Sequence, residues 1–144
     1  MISINFPAPD FKIKGAKGEE QIWDIARKRW VRLTSEEWVR QNFIQYLVKE
    51  KNYPLSLISV EKEISLGELK KRYDIAVYRN ARPWLLAECK EMNVTVTESV
   101  LHQALRYNAV IAAPYLVVTN GRETHGWRVV QSKLEELNNL PEWE

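Results

Sequence analysis

The period of hydrophobic and polar positions changes several times along this chain, and each change predicts an element. Residues 1–10, with Pro7 and Pro9, read as an extended arm. Phe11 to Ile13 and Gln21 to Asp24 flank a Gly15/Gly18 turn and predict a first hairpin, with a further extended segment from Arg29 to Leu33. Thr34 stands three residues before Glu37 in capping-box spacing and opens a helix to about Lys49. Val39, Phe43, Tyr46 and Leu47 form its apolar stripe, while Glu37, Gln41 and Gln45 share another face. After Tyr53-Pro54, Leu55 to Ser59 suggests another turn or two of helix, and alternation from Val60 to Leu66 suits a strand.

Two further runs, Lys71 to Tyr78 and Pro83 to Lys90, read as strands joined by a turn at Arg79-Asn80-Ala81-Arg82 of hairpin length. A second helix is expected from Thr97 or Glu98 to about Ile111, ended by Pro114. Tyr115 to Thr119 predicts a short buried strand, Asn120-Gly121 a turn, Trp127 to Val130 another strand, and Ser132 to Asn138 a terminal helix. The expected fold is α/β: an αβββαβ order in which a mixed sheet carries a helix on each face. The whole chain, 1–144, reads as one domain with an extended amino-terminal arm.

Candidate chemistry gathers in the hairpin. Side chains alternate along a strand, so Glu88 and Lys90 face one way and Cys89 the other. Pairing would bring Asp74 near the end of the second strand, collecting two carboxylates and an ammonium. Asp74 and Glu88 could hold a divalent cation, with the backbone carbonyl of Cys89 a further ligand and Lys90 orienting a water and offsetting negative charge. That set is the core of a phosphodiesterase site. The spacing alone is loose, and an exposed cross-strand charge pattern would also explain it. Leu85, Leu86, Ala87 and Cys89 argue for a buried strand, where Glu and Lys are costly unless paired or liganded.

Gln103, Arg106 and Tyr107 share one face of the second helix and read equally as a solvent face or as a polar set turned toward the site. Glu37 is explained as the end of a capping box, or as a third carboxylate for the cation. Glu61 and Glu63 are weaker candidates. His125 reads as an exposed loop residue, and Cys89 as core packing.

Composition narrows the classes. At 45% hydrophobic and 28% charged the chain has material for a real core, and its net charge of +2 does not announce a nucleic-acid binder. Local clusters matter more: Arg27, Lys28, Arg29 and Arg32 read as a solvated face. Lys70, Lys71 and Arg72 beside the candidate site become a DNA-backbone contact. One cysteine excludes an intramolecular disulfide framework and a multi-cysteine zinc site. No signal-like or membrane-spanning segment is evident, so a cytoplasmic location is the default expectation.

These residues resemble a known family. Tyr73-Asp74, then Glu88-Cys89-Lys90, resembles the PD-(D/E)XK motif of restriction-endonuclease-like nucleases, with Tyr73 where proline often occurs. Gln103 to Tyr107 resembles the Q-x-x-x-Y element of the exonuclease-like branch. The stretches Leu33 to Gln41, Val60 to Lys62, Lys71 to Ile75, Gln103 to Asn108 and Thr119 to Gly121 also look like the amino-terminal nuclease domain of type I restriction enzyme R subunits. The resemblance implies a restriction-endonuclease-like fold and a Mg2+-dependent DNA nuclease, with Mn2+ able to substitute. It implies Asp74, Glu88 and Lys90 as the catalytic set, joined by Glu37, Gln103 and Tyr107; Lys70, Lys71, Arg72 and Arg106 read, from their charge and position, as DNA contacts. Implied partners are DNA and either a second copy or a separate restriction or helicase subunit; no P-loop motif is present, so a stand-alone nuclease or a solitary homologue with another role fits better than restriction by this chain alone. The alternative is a non-cleaving DNA- or protein-binding module on the same fold.

Overall fold

The computed structural model describes the chain except Ala112, Ser132 and Glu144, together with the side chains of Leu66, Ala104, Leu105 and residues 107–111. The amino-terminal arm is extended and crosses the body: Ile2 is buried and its N–H donates to the carbonyl of Thr124 at 2.8 Å. A small antiparallel sheet follows, built of β1 (Ile13–Lys14), β2 (Gln21–Asp24) and β3 (Arg29–Arg32).

Helix α1 runs from Ser35 to Lys49, and the Thr34 hydroxyl caps it by accepting from the Glu37 N–H at 3.0 Å. Both of its predicted faces are inside. Val39, Phe43, Ile44 and Leu47 enter the main core, and the polar Glu37, Gln41 and Gln45 are buried as well. Gln45 is satisfied by the arm, donating to the Ala8 carbonyl at 2.8 Å and accepting from the Asp10 N–H at 3.2 Å.

The large sheet comprises β4 (Ile58–Leu66), β5 (Leu69–Arg79), β6 (Arg82–Cys89), β7 (Tyr115–Thr119), β8 (Thr124–Val130) and β9 (Lys133–Glu136), in that spatial order. Only β6 and β7 are parallel, joined by the crossover that contains helix α2 (Glu98–Ile111). The sheet is therefore mixed. One face packs on α1 through Ile75, Val77, Leu85, Ala87, Cys89 and Val117. The other face, with Tyr73, Ala76, Leu86, Leu116 and Val118, meets Val100 and Leu101 of α2. The expected α/β class with a helix on each face is what is found.

Two expectations need correction. Leu55–Leu57 forms a single 3-10 turn, and β4 already starts at Ile58. The terminal helix expected from Ser132 to Asn138 is instead strand β9, paired with β8 from Trp127↔Glu136 to Val130↔Lys133. A helix this short gains little from local bonding, while the open β8 edge supplies partners for each backbone group.

The β5–β6 hairpin turns on Asn80 and Ala81, both left-handed at φ 54° and 61°. That pair of angles is the two-residue turn whose twist matches paired strands. Strict alternation fails along β5. Tyr73 lies with the α2-side cluster, yet Ile75 and Val77 lie with the α1-side cluster. The β4–β5 ladder pairs Val60 with Ile75 and Lys62 with Tyr73 but is broken between them, where Glu61 sits at φ 53° opposite Asp74. The kink at Glu61 accompanies the change of face.

Candidate active site

Asp74 stands at the point where the ladder breaks. Its Oδ2 accepts from the backbone N–H of Cys89 at 2.6 Å, a bond between neighbouring strands that fixes the carboxylate beside the end of β6. Its other oxygen, Oδ1, lies 3.6 Å from Arg40 Nη1. Glu88 is the penultimate residue of β6, and its Oε1 forms an ion pair with Lys71 Nζ at 2.8 Å. Burial and the charge of Asp74, which also hydrogen-bonds to it, push the Glu88 carboxyl up to about 7, with Lys71 opposing the shift.

This is a pair of carboxylates that cannot both ionise cheaply without a cation between them. Glu88 Oε1 is buried and meets only the mobile ammonium of Lys71 among the ion pairs of the described residues, a place that a hard cation could take. Among the described residues no three His, Cys, Asp or Glu side chains are grouped for a metal. Two carboxylates with a backbone carbonyl and waters is nevertheless an ordinary Mg2+ set. The residues present fit that ion.

The other predicted residues divide. Lys90 lies just past β6, half-buried, with its N–H donating to the Thr119 carbonyl at 2.8 Å. Burial and the charge of Asp74 raise the carboxyl of Glu36 above its ordinary range, with Arg40 and Lys90 opposing the shift. Glu36, overlooked in the sequence, therefore lies within electrostatic range of Asp74 and Lys90. Glu37 points into a buried ion network. Arg40 donates to it through Nε at 3.0 Å and Nη2 at 2.9 Å, Gln41 through Nε2 at 3.0 Å, and Arg27 through Nη2 at 2.7 Å. Burial disfavours a charged Glu37, but these bonds outweigh it and hold the carboxyl below its ordinary range. The carboxylate is thus committed to arginines, one guanidinium away from Asp74.

That network reaches back to the small sheet. Asp24 is wholly buried, accepts from the backbone N–H groups of Ala26 and Arg27 at 2.8 and 3.1 Å, and pairs with the Arg27 side chain. Glu61 Oε1 lies 3.4 Å from Arg40 Nη2. Arg27 had been legible only as one member of a basic cluster. Arg40, three residues after Glu37, was the available signal, since that spacing places both on one helical face.

The Cys89 thiol packs in the α1-side core, and burial raises its pKa well above the ordinary value, so it suits packing and not nucleophilic work. Lys70 and Arg72 are exposed on β5, whereas Lys71 is half-buried against Glu88. On α2, Gln103 and Arg106 are exposed, and among the described residues neither pairs with Asp74 or Glu88. The side chain of Tyr107 lies outside the described residues. His125 is not the free loop residue expected: it lies on β8 with Nε2 2.8 Å from Glu123 Oε1.

Residues 35–141 match the model of the type I restriction enzyme R protein N terminus. The chain belongs to that family. The matched span begins at the first residue of α1 and takes in the large sheet with Asp74, Glu88 and Lys90. Two curated relatives, each a DNA polymerase III subunit epsilon, come from Rickettsia prowazekii (strain Madrid E) and Rickettsia typhi (strain ATCC VR-144 / Wilmington). Each is 27% identical over 145 residues, covering 94% of this chain. This chain spans 62% of the length of either relative. No helix is long and apolar enough to cross a membrane among the described residues.

Proposed function

We propose that this protein is a metal-dependent DNA nuclease of the PD-(D/E)XK type. The observation carrying the reading is the opposition of Asp74 and Glu88, with the Glu88 carboxyl pushed up to about 7 by burial and by Asp74, in a member of a restriction-enzyme family. Asp74, Glu88 and the Cys89 carbonyl would hold Mg2+, which Mn2+ can replace. The bound ion would supply positive charge beside the scissile phosphate.

The chain's own groups do the rest. The Cys89 N–H fixes the rotamer of Asp74, so the carboxylate does not reorganise when substrate arrives. Lys90 offsets negative charge on the phosphate and orients the attacking water, while Glu36 lies close enough to tune it. Lys71 partly neutralises Glu88, and Lys70 and Arg72 on the same strand are exposed for DNA phosphates. Gln103 and Tyr107 take the substrate side by their resemblance to the Q-x-x-x-Y element, and Arg106, exposed on the same helix, contacts a phosphate. Glu37 acts at one remove, through Arg40. The family and both relatives are named for multi-subunit DNA enzymes, which supports a restriction or helicase subunit, or a second copy, as partner.

The test is cleavage of plasmid and linear DNA with Mg2+, Mn2+ or EDTA by wild type, Asp74→Ala and Lys90→Ala. Metal-dependent cleavage lost in both variants, with unchanged circular dichroism, is expected. Wild-type-like cleavage by both variants sinks the proposal. The absence of a three-carboxylate cluster among the described residues favours one second reading, a module that binds DNA or protein without cutting. Calorimetric titration with Mn2+ separates the two, since only the nuclease requires the ion at Asp74.

A further inference from the structure

The three-stranded sheet β1–β3 lies entirely before residue 35, where the match to the family begins, so the family assigns it no role. Its two faces differ sharply. The inner face buries Ile22 and Asp24 completely, and Asp24 is tied through Arg27 to Glu37 of α1. The sheet is therefore fastened to the helix that flanks the candidate site.

The outer face follows from register. Gln21 pairs with Lys14 on one side and Arg32 on the other, and Trp23 pairs with Trp30. The Trp23 N–H bonds to the Lys12 carbonyl at 2.9 Å, which continues the same register. Alternation puts all six side chains on the face opposite Ile22 and Asp24. They form two cross-strand rows, Lys14–Gln21–Arg32 and Lys12–Trp23–Trp30. Three cations, two indoles and an amide make up this face, and none of the six positions holds a carboxylate. Of the acids near these positions in sequence, Asp24 is buried on the opposite face, Glu19 and Glu20 lie at the β1–β2 turn, and Asp10 precedes Lys12 in the arm.

Neither indole belongs to either hydrophobic core cluster. The rings of Trp23 and Trp30 meet edge to face with centroids 5.5 Å apart, and Lys14 Nζ sits 4.4 Å from the Trp30 ring centre. Both indoles are half-buried, and the Trp30 face that Lys14 covers opens to solvent when that exposed, flexible side chain swings away. Flat aromatic surface interleaved with cations is the arrangement that takes unpaired bases by stacking and the backbone by charge. A duplex hides its base faces and would use only the cations.

We propose that this outer face binds single-stranded DNA, with Trp30 as the stacking platform and Lys12, Lys14 and Arg32 on the phosphates. The assignment rests on the DNA reading of the proposed function but not on cleavage. It would deliver an unpaired strand to a site whose α1 helix the same sheet grips.

The test is fluorescence anisotropy of a labelled oligothymidylate and of a labelled duplex, with the full chain in EDTA so that nothing is cut. Wild type is expected to prefer the single strand. Trp30→Ala should weaken strand binding at least about fivefold, the loss of one base stack. The combined Lys12→Gln, Lys14→Gln and Arg32→Gln variant should reduce the slope of log affinity against log salt by about 2. Unchanged strand affinity in Trp30→Ala together with an unchanged salt slope in the charge variant would overturn the proposal. So would an equal or stronger preference for duplex. Failure of the nuclease reading appears separately, as wild-type cleavage by Asp74→Ala, and leaves this binding readout intact.

Discussion

Lys71 Nζ lies 2.8 Å from Glu88 Oε1, so the more buried member of the acidic pair meets an ammonium from the strand that carries Asp74. Even with that ammonium, Glu88 prefers its proton up to about pH 7, because burial and Asp74 together outweigh it.

A folded-state pKa above the unfolded value means that folding takes up a proton between the two. The stabilisation is fully present below about pH 4.5 and is lost as pH rises through about 7, amounting to about 3 kcal/mol at most. Glu88→Gln should abolish this contribution and be more stable than wild type at pH 8 in the absence of metal. Urea unfolding at pH 5 and pH 8 checks it; parallel losses of stability in both proteins would contradict it.

Adjacent glutamates of α1 should behave oppositely. Glu37→Gln strips the counter-charge from buried Arg27 and Arg40 and should cost about 3–5 kcal/mol of stability. Glu36→Gln alters an exposed carboxylate and should shift stability by no more than about 0.5 kcal/mol. It should instead weaken Mn2+ binding severalfold, by removing negative charge near Asp74. Thermal melts and calorimetry on both variants distinguish the two roles.

The hairpin that assembles the pair carries avoidable strain. Ala81 sits at φ 61°, where a Cβ is unfavourable and glycine is not. Ala81→Gly should therefore raise stability by about 0.5–1 kcal/mol, after allowance for the greater entropy glycine loses on folding. A lower urea midpoint in the variant would show that the turn is not strained as described.

Thr34→Ala removes the hydroxyl that accepts from the Glu37 N–H. The expected cost is about 1 kcal/mol, read as a lower melting temperature, and Thr34→Ser should recover most of it.

Local patterning made α1, the β5–β6 hairpin and β7 legible, because capping, turn chemistry and apolar runs act within a few residues. It placed Asp74, Glu88 and Lys90 in one neighbourhood for the same reason, since a hairpin is a local pairing. The ends of the sheet were less legible. β9 carries no strong strand signal and exists because β8 offers it an edge.

The partners of the charges were decided by tertiary structure alone. Sequence could not say that Glu37 would be enclosed by Arg27 from the small sheet and by Arg40, leaving Glu36 within electrostatic range of Asp74. Nor could it foresee a left-handed Glu61 opposite Asp74, where the β4–β5 ladder breaks and the face on which β5 residues lie changes. Periodicity reports which residues avoid water, through the spacing of apolar positions in one element. Which carboxylate meets which guanidinium depends on how separate elements cross, and short-range spacing does not encode that geometry.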